Sequence, residues 1–260
     1  RRVNLAFDEL RQYMAEMVDA RRSAETKEER HDLFSGLLDA APDNPDGSVA
    51  ITEQELIGNM FIFLLAGHET TAHALCFTFA LLALYPDEQE HLYQQIKGIL
   101  IDINGTPTYE DINRFTLSVT VLNETLRMFP PVASIPKHAA EDTSLTVGNA
   151  DGGETTFPIP SGTLVKFHVL GLHYNRPPVP HAFRPERFLG EWPRNAFLPF
   201  SSGARGCLGR RFFETESVAA ITVMISRYRV EVKEEPEFLG ETFEQRCVRI
   251  TAFDQVLTNA

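Results

Sequence analysis

The chain has 260 residues, 43% hydrophobic and 23% charged, enough apolar material for a sizeable globular core. Its 36 acidic against 24 basic residues give a net charge of −12 with no basic run, so nucleic acid is not an expected partner. Three widely spaced cysteines, Cys76, Cys207 and Cys247, argue against a disulfide framework or a four-ligand zinc site.

The sequence opens on Arg1-Arg2-Val3-Asn4, with no initiator Met, signal peptide or membrane anchor. The expectation is a processed chain or one that starts inside a larger protein. Residues 3–22 carry Leu5, Leu10, Met14, Met17 and Val18 among charges, the pattern of an amphipathic helix. Residues 25–30 read as a solvated turn or helix end, 32–39 as a short helix, and 41–47 as a loop. Thr52 with Glu55 is a capping box that opens a long helix reaching about Leu84. Pro86 stops that helix and opens the next, over 87–100; Thr108 with Asp111 starts another, predicted to run through Met128 and end before Pro130-Pro131.

Beyond Pro131, alternating segments at 144–147 and 164–169 predict small antiparallel strands. Residues 174–206 are rich in Pro, Arg and Gly with little periodicity, and an irregular stretch of that length is usually functional. A last helix spans 208–228, followed by strand-like residues 229–233. The predicted fold class is mainly α with a minor β part and no internal repeat.

Residues 57–85 are apolar enough to imitate a membrane span, yet Gly67-His68-Glu69-Thr70-Thr71 sits in the middle. A carboxylate at a bilayer centre costs about 3 kcal/mol, so a long helix buried in a soluble core, with a polar functional interruption, is the better reading. His68 and His73 are five apart, roughly 140° around a helix, whereas a zinc-protease motif needs them four apart on one face.

Cys207 lies in Phe200-Ser-Ser-Gly-Ala-Arg-Gly-Cys-Leu-Gly209. Gly203, Gly206 and Gly209 allow positive φ angles and close approach of a flat ligand. A position just before a helix start favours a thiolate, and Arg205 adds positive charge and a fork suited to a carboxylate. A buried, inert cysteine in a glycine-rich turn is the competing reading of these residues. Cys76 and Cys247 lack such a setting and read as core thiols. Glu124 and Arg127 stand three apart on one helix face, a spacing that usually marks a solvated pair.

Phe200-x-x-Gly203-x-Arg205-x-Cys207-x-Gly209 resembles the haem-binding signature of cytochrome P450. The resemblance implies that Cys207 is the proximal iron ligand, its thiolate favouring O–O cleavage, and that Arg205 pairs with a haem propionate. Ala66-Gly67-His68-Glu69-Thr70-Thr71 resembles that family's oxygen-activation motif. Gly67 would let the helix open, Thr70 would hold dioxygen or water, and Glu69 would relay protons; the bland alternative is a threonine bonded to the preceding turn. Glu124 and Arg127, with Arg187 in Phe183-Arg-Pro-Glu-Arg187-Phe188, resemble the family's Glu–Arg…Arg network. Lys137 matches the place of an arginine that binds the other propionate.

The landmarks resemble the C-terminal half of the family's fold: a single partial domain over 1–260, with a long central helix, a helical bundle and small antiparallel sheets. The expectation is a haem b-dependent monooxygenase acting on a small apolar organic substrate and O2. Electrons would come from NADPH through a cytochrome reductase. Substrate contacts are expected near 65–70, 132–135 and a C-terminal loop at 246–250. The full-length protein is expected at the endoplasmic reticulum membrane, through an N-terminal region outside this chain. A non-catalytic helical fragment or haem-binding module, and a haem-thiolate isomerase or dehydratase, stay open as alternatives.

Overall fold

The computed structural model describes residues 2–23, 32–39, 51–149, 151–175 and 180–251. The turn expected at 25–30 and the loop expected at 41–47 lie outside them. The chain forms two compact units, residues 1–70 and 71–260, divided within one helix.

In the first unit, α1 (Arg2–Arg22) and α2 (Leu33–Asp39) accompany the start of α3 (Glu53–Leu84). Met14 and Val18, one turn apart on α1, bury with Leu56 and Met60 of α3, while Leu5 stays 59% exposed. Asp32 caps α2 by accepting the Ser35 N–H at 2.7 Å. Thr52 and Glu55 form the capping box in both directions, at 2.8 and 3.3 Å.

α3 is not buried throughout its length. Its first-unit part leaves Ile62, Leu64 and Leu65 about half exposed, whereas Ala74, Thr78, Leu81 and Leu82 are fully buried in the second unit. The helix thus serves a core at each end, through Leu56 and Met60 in the first unit and Ala74 to Leu82 in the second, with an exposed apolar stretch between. By length and composition alone, α3 is long and apolar enough to cross a membrane.

In the second unit, α4 (Pro86–Ile103) buries Gln89, Leu92, Ile96 and Ile99, the three-and-four spacing of one helix face. Thr108 and Asp111 cap as predicted, but the element they open is a 3₁₀ turn, Tyr109–Arg114. It stops at Phe115, which is buried with a non-helical ψ of 56°. α5 (Thr116–Met128) restarts there because Gln95 of α4 accepts the Leu117 N–H at 2.9 Å, satisfying one free donor of the new first turn. Buried residues cover most of α5.

Two small sheets follow, each an antiparallel pair. β1 (Ser134–His138) pairs with β4 (Leu164–His168), and β2 (Thr143–Gly148) with β3 (Glu154–Ile159). The strand predicted to end at 169 ends at His168, whose Nδ1 accepts the Gly171 N–H and caps α6 (Val169–Tyr174).

The irregular stretch leads to α7 (Arg210–Arg227), which buries Phe213, Val218, Ile221 and Ile225. Residues 229–233, read as strand-like, form no strand. The carboxamide of Gln89 takes the partner strand's place, donating to the Val230 carbonyl at 2.8 Å and accepting its N–H at 2.9 Å. The segment expected as a loop at 246–250 lies within a helix, α8 (Phe243–Thr251). Thr242 and Gln245 cap it reciprocally, and Glu241 binds Arg246 and Arg249 across its first turns.

Candidate functional site

The loop bearing Cys207 is closed by its own backbone. The Ser201 N–H donates to the Leu198 carbonyl at 3.1 Å, Gly206 to Gly203 at 2.9 Å, and Cys207 to Phe200 at 2.8 Å. Only Gly203 of the three glycines takes a positive φ, +75°, while Gly206 and Gly209 sit at −61° and −83°. The second left-handed residue is Ser201, at 59°. A single reversal on either side of Ser202 suffices to turn the chain, so the other glycines need no left-handed angle.

The thiol is exposed, two residues ahead of Gly209, the N-cap of α7. Nothing lies within 4 Å of where a Cβ would stand on Gly203 or Gly209. Phe200 roots the loop: its ring meets Phe213 at 5.4 Å, and the Arg210 guanidinium lies 5.3 Å from its centre. Arg205 is exposed on the 3₁₀ turn of the same loop.

Glu124, Arg127 and Arg187 meet at one carboxylate. Arg127 donates through Nε and Nη2 to the two Glu124 oxygens, at 2.7 and 2.9 Å. The Arg187 Nε reaches Glu124 Oε1 at 3.3 Å, and the backbone N–H of Arg184 joins it at 2.9 Å. Glu124 is fully buried and Arg127 is 5% exposed. This is no solvated pair: the fork fixes the 182–187 segment against α5.

Sequence reasoning passed over His173. It is 3% exposed and stacks on Phe197 at 5.2 Å. Its Nε2 accepts the Leu198 N–H at 3.0 Å, so the proton sits on Nδ1 and is donated to the Arg127 carbonyl at 3.1 Å. Burial, with the Arg127 guanidinium alongside, pushes this imidazole down to about 4. A single histidine in Gly-Leu-His-Tyr carries no spacing signal; its α6 setting, between a strand and the Pro-rich stretch, was the available clue.

The Ala66–Thr71 motif lies across the division between the units. α3 is helical throughout it, unopened at Gly67. The Thr70 hydroxyl donates to the Ala66 carbonyl at 2.7 Å, the back-bond to the preceding turn. Ala66, Gly67 and Glu69 are exposed. Lys137 is half-buried on β1, opposite Val165 of β4 and on the same face as Ile135. Cys76 is exposed rather than a core thiol: it stands two residues from buried Ala74, on the other side of the helix. Cys247 is half-buried, its thiol pushed up by burial and by Glu244.

A family model for Cytochrome P450 matches residues 1–249. The chain belongs to the cytochrome P450 family. It is 54% identical, over 99% of its length, to Cytochrome P450 monooxygenase 124 of Postia placenta, covering 50% of that protein. It is 34% identical, over 88% of its length, to Cyclooctat-9-en-7-ol 5-monooxygenase of Streptomyces melanosporofaciens, covering 48% of it. Cytochrome P450 3A31 of Mesocricetus auratus is 31% identical over 78% of the chain and is covered to 40%. The chain spans about half the length of the curated relatives it matches. Membership of the P450 family implies a haem iron cofactor.

Proposed function

We propose that this chain is the haem-ligating portion of a P450 monooxygenase that inserts one oxygen atom of O2 into an apolar organic substrate. Electrons reach it from NADPH through a reductase. The observation carrying this reading is the exposed Cys207 thiol on a self-closed loop ahead of α7. A haem needs one soft axial donor, an open face beside it, and cations for its propionates. Cys207, the free space at Gly203 and Gly209, and Arg205 meet those needs; Lys137 is assigned to the second propionate as a point charge that cannot chelate it.

Bound there, the thiolate-ligated iron supplies activation of dioxygen. The chain's own groups manage the protons. With the Thr70 hydroxyl donating to the Ala66 carbonyl, its Oγ1 lone pairs keep the capacity to accept a hydrogen bond from water. Glu69, exposed one residue away, exchanges protons with bulk solvent through its carboxylate. Glu124, Arg127 and Arg187 are assigned a structural part: they hold the stretch that delivers the thiol loop. The full-length protein is assigned to the cytosolic face of the endoplasmic reticulum.

The test is a carbon monoxide difference spectrum of the reduced, haem-supplied protein. The red-shifted Soret band of thiolate ligation supports the reading, and a haem spectrum without it removes Cys207 as ligand. Product formation that requires both reductase and NADPH separates oxygenation from isomerisation or dehydration.

A further inference from the structure

We propose that His173 is a positioning residue for Cys207: its imidazole ties the Arg127 carbonyl, on the ion-paired helix α5, to the Leu198 N–H at the root of the thiol loop. The two bonds, 3.1 and 3.0 Å, leave from opposite ring nitrogens. Only the neutral ring protonated on Nδ1 satisfies both, since an imidazolium has no acceptor for Leu198.

The tie reaches the thiol in short steps. Leu198 accepts the Ser201 N–H through its carbonyl, and Phe200, two residues on from Leu198, accepts that of Cys207. At the other end, His173 and its neighbour occupy carbonyls in the last turn of α5, where no intrahelical partner exists. Tyr174 donates to Met128 at 3.3 Å as His173 donates to Arg127. The Glu124 network anchors the irregular stretch at 184–187, and His173 anchors it again eleven residues later, at 198. Simple packing does not account for this residue: a phenyl ring would stack on Phe197 as well, yet would orphan a half-buried donor and a buried acceptor.

Only the spectroscopic arm of the test depends on Cys207 being the iron ligand. In the ¹⁵N-labelled chain at neutral pH, the His173 ring is expected in the Nδ1–H form; a proton on Nε2 overturns the proposal before any variant is made. Amide exchange at Leu198 and Cys207 is then compared in wild type, His173→Phe and His173→Gln. Phe should raise exchange by about tenfold, the equivalent of one lost hydrogen bond. Gln, which carries a donor and an acceptor on one planar group, should restore most of the protection. Equal protection in wild type and His173→Phe overturns the tie, whatever the haem does. With haem and carbon monoxide, the Phe variant should lose intensity from the thiolate band and the Gln variant regain it. Should wild type lack that band while the exchange pattern holds, the ligand assignment fails and the tie stands.

Discussion

Arg127 sets both its Nε and its Nη2 on the carboxylate of Glu124, one helical turn away, where the acid is fully buried and the guanidinium nearly so. The acid is thereby shared with Arg187 and the Arg184 backbone, leaving one excess positive charge inside the cluster. Removing the acid strands two guanidiniums with their desolvation uncompensated. Glu124→Ala should cost about 3–5 kcal/mol in urea unfolding and abolish haem retention. A variant with wild-type midpoint and haem content would remove the network from its structural part.

Cys207 offers the opposite case, an exposed side chain whose chemistry matters more than its packing. Cys207→Ser should shift stability by no more than about 0.5 kcal/mol, as surface substitutions do. The reduced, carbon monoxide-bound protein should lose its thiolate Soret band. A retained band would move the ligand elsewhere.

Thr70→Val keeps the side-chain shape and removes the hydroxyl. Haem content should be unchanged, whereas product formation should fall by about a hundredfold if the hydroxyl takes part in proton delivery. Equal product yield per NADPH in both proteins would leave Thr70 with only its back-bond to Ala66.

Acid should loosen the molecule through His173. Its folded-state value of about 4 lies below the ordinary 6.5, so the unfolded chain takes up the proton first. Stability therefore falls as pH drops from roughly 6.5 towards 4, by at most about 1.4 kcal/mol per pH unit. Arg127 faces the ring from α5 and Tyr174 adjoins it on α6, while Arg184, Glu186, Arg187 and Glu191 line the same cavity. Burial raises Glu186, but its own backbone N–H and Arg184 outweigh that and hold it below the ordinary glutamate value. Urea midpoints between pH 7 and 4.5 should decline in wild type and much less in His173→Gln.

Gln89→Ala should cost about 1–3 kcal/mol, because three buried or half-buried bonds, to Leu82 and to both polar groups of Val230, disappear together. Faster amide exchange at Val230 is the local signature. Unchanged exchange there would show that water replaces the carboxamide without loss.

Some helix starts announced themselves in the sequence through paired side-chain caps. Thr52–Glu55 and Thr108–Asp111 are readable because both partners sit three residues apart in one segment. Thr242–Gln245 follows the same rule, yet that segment was expected as a loop at 246–250, so only the first two caps were legible. The break at Phe115 and the unpaired extension at Val230 were not, since Gln95 and Gln89 act on them from a different helix. Strands β1 and β3 hid behind Pro136 and Pro158, which interrupt the alternation that marks a strand. In the candidate site, Cys207, Arg205 and the glycines form one contiguous motif. The full contact set of Glu124 spans 63 residues, and only a resemblance, not a spacing, joins Arg187 to it.

The bond from Cys207 to Phe200 closes a ring of eight residues using only main-chain groups. The loop's curvature is then a property of the polypeptide, settled when the chain folds. If Cys207 is the iron ligand, as proposed, a loop closed in advance by its own backbone would lower the conformational entropy lost on cofactor capture. Mutations that unravel this ring should slow cofactor uptake more than they speed its escape once ligated.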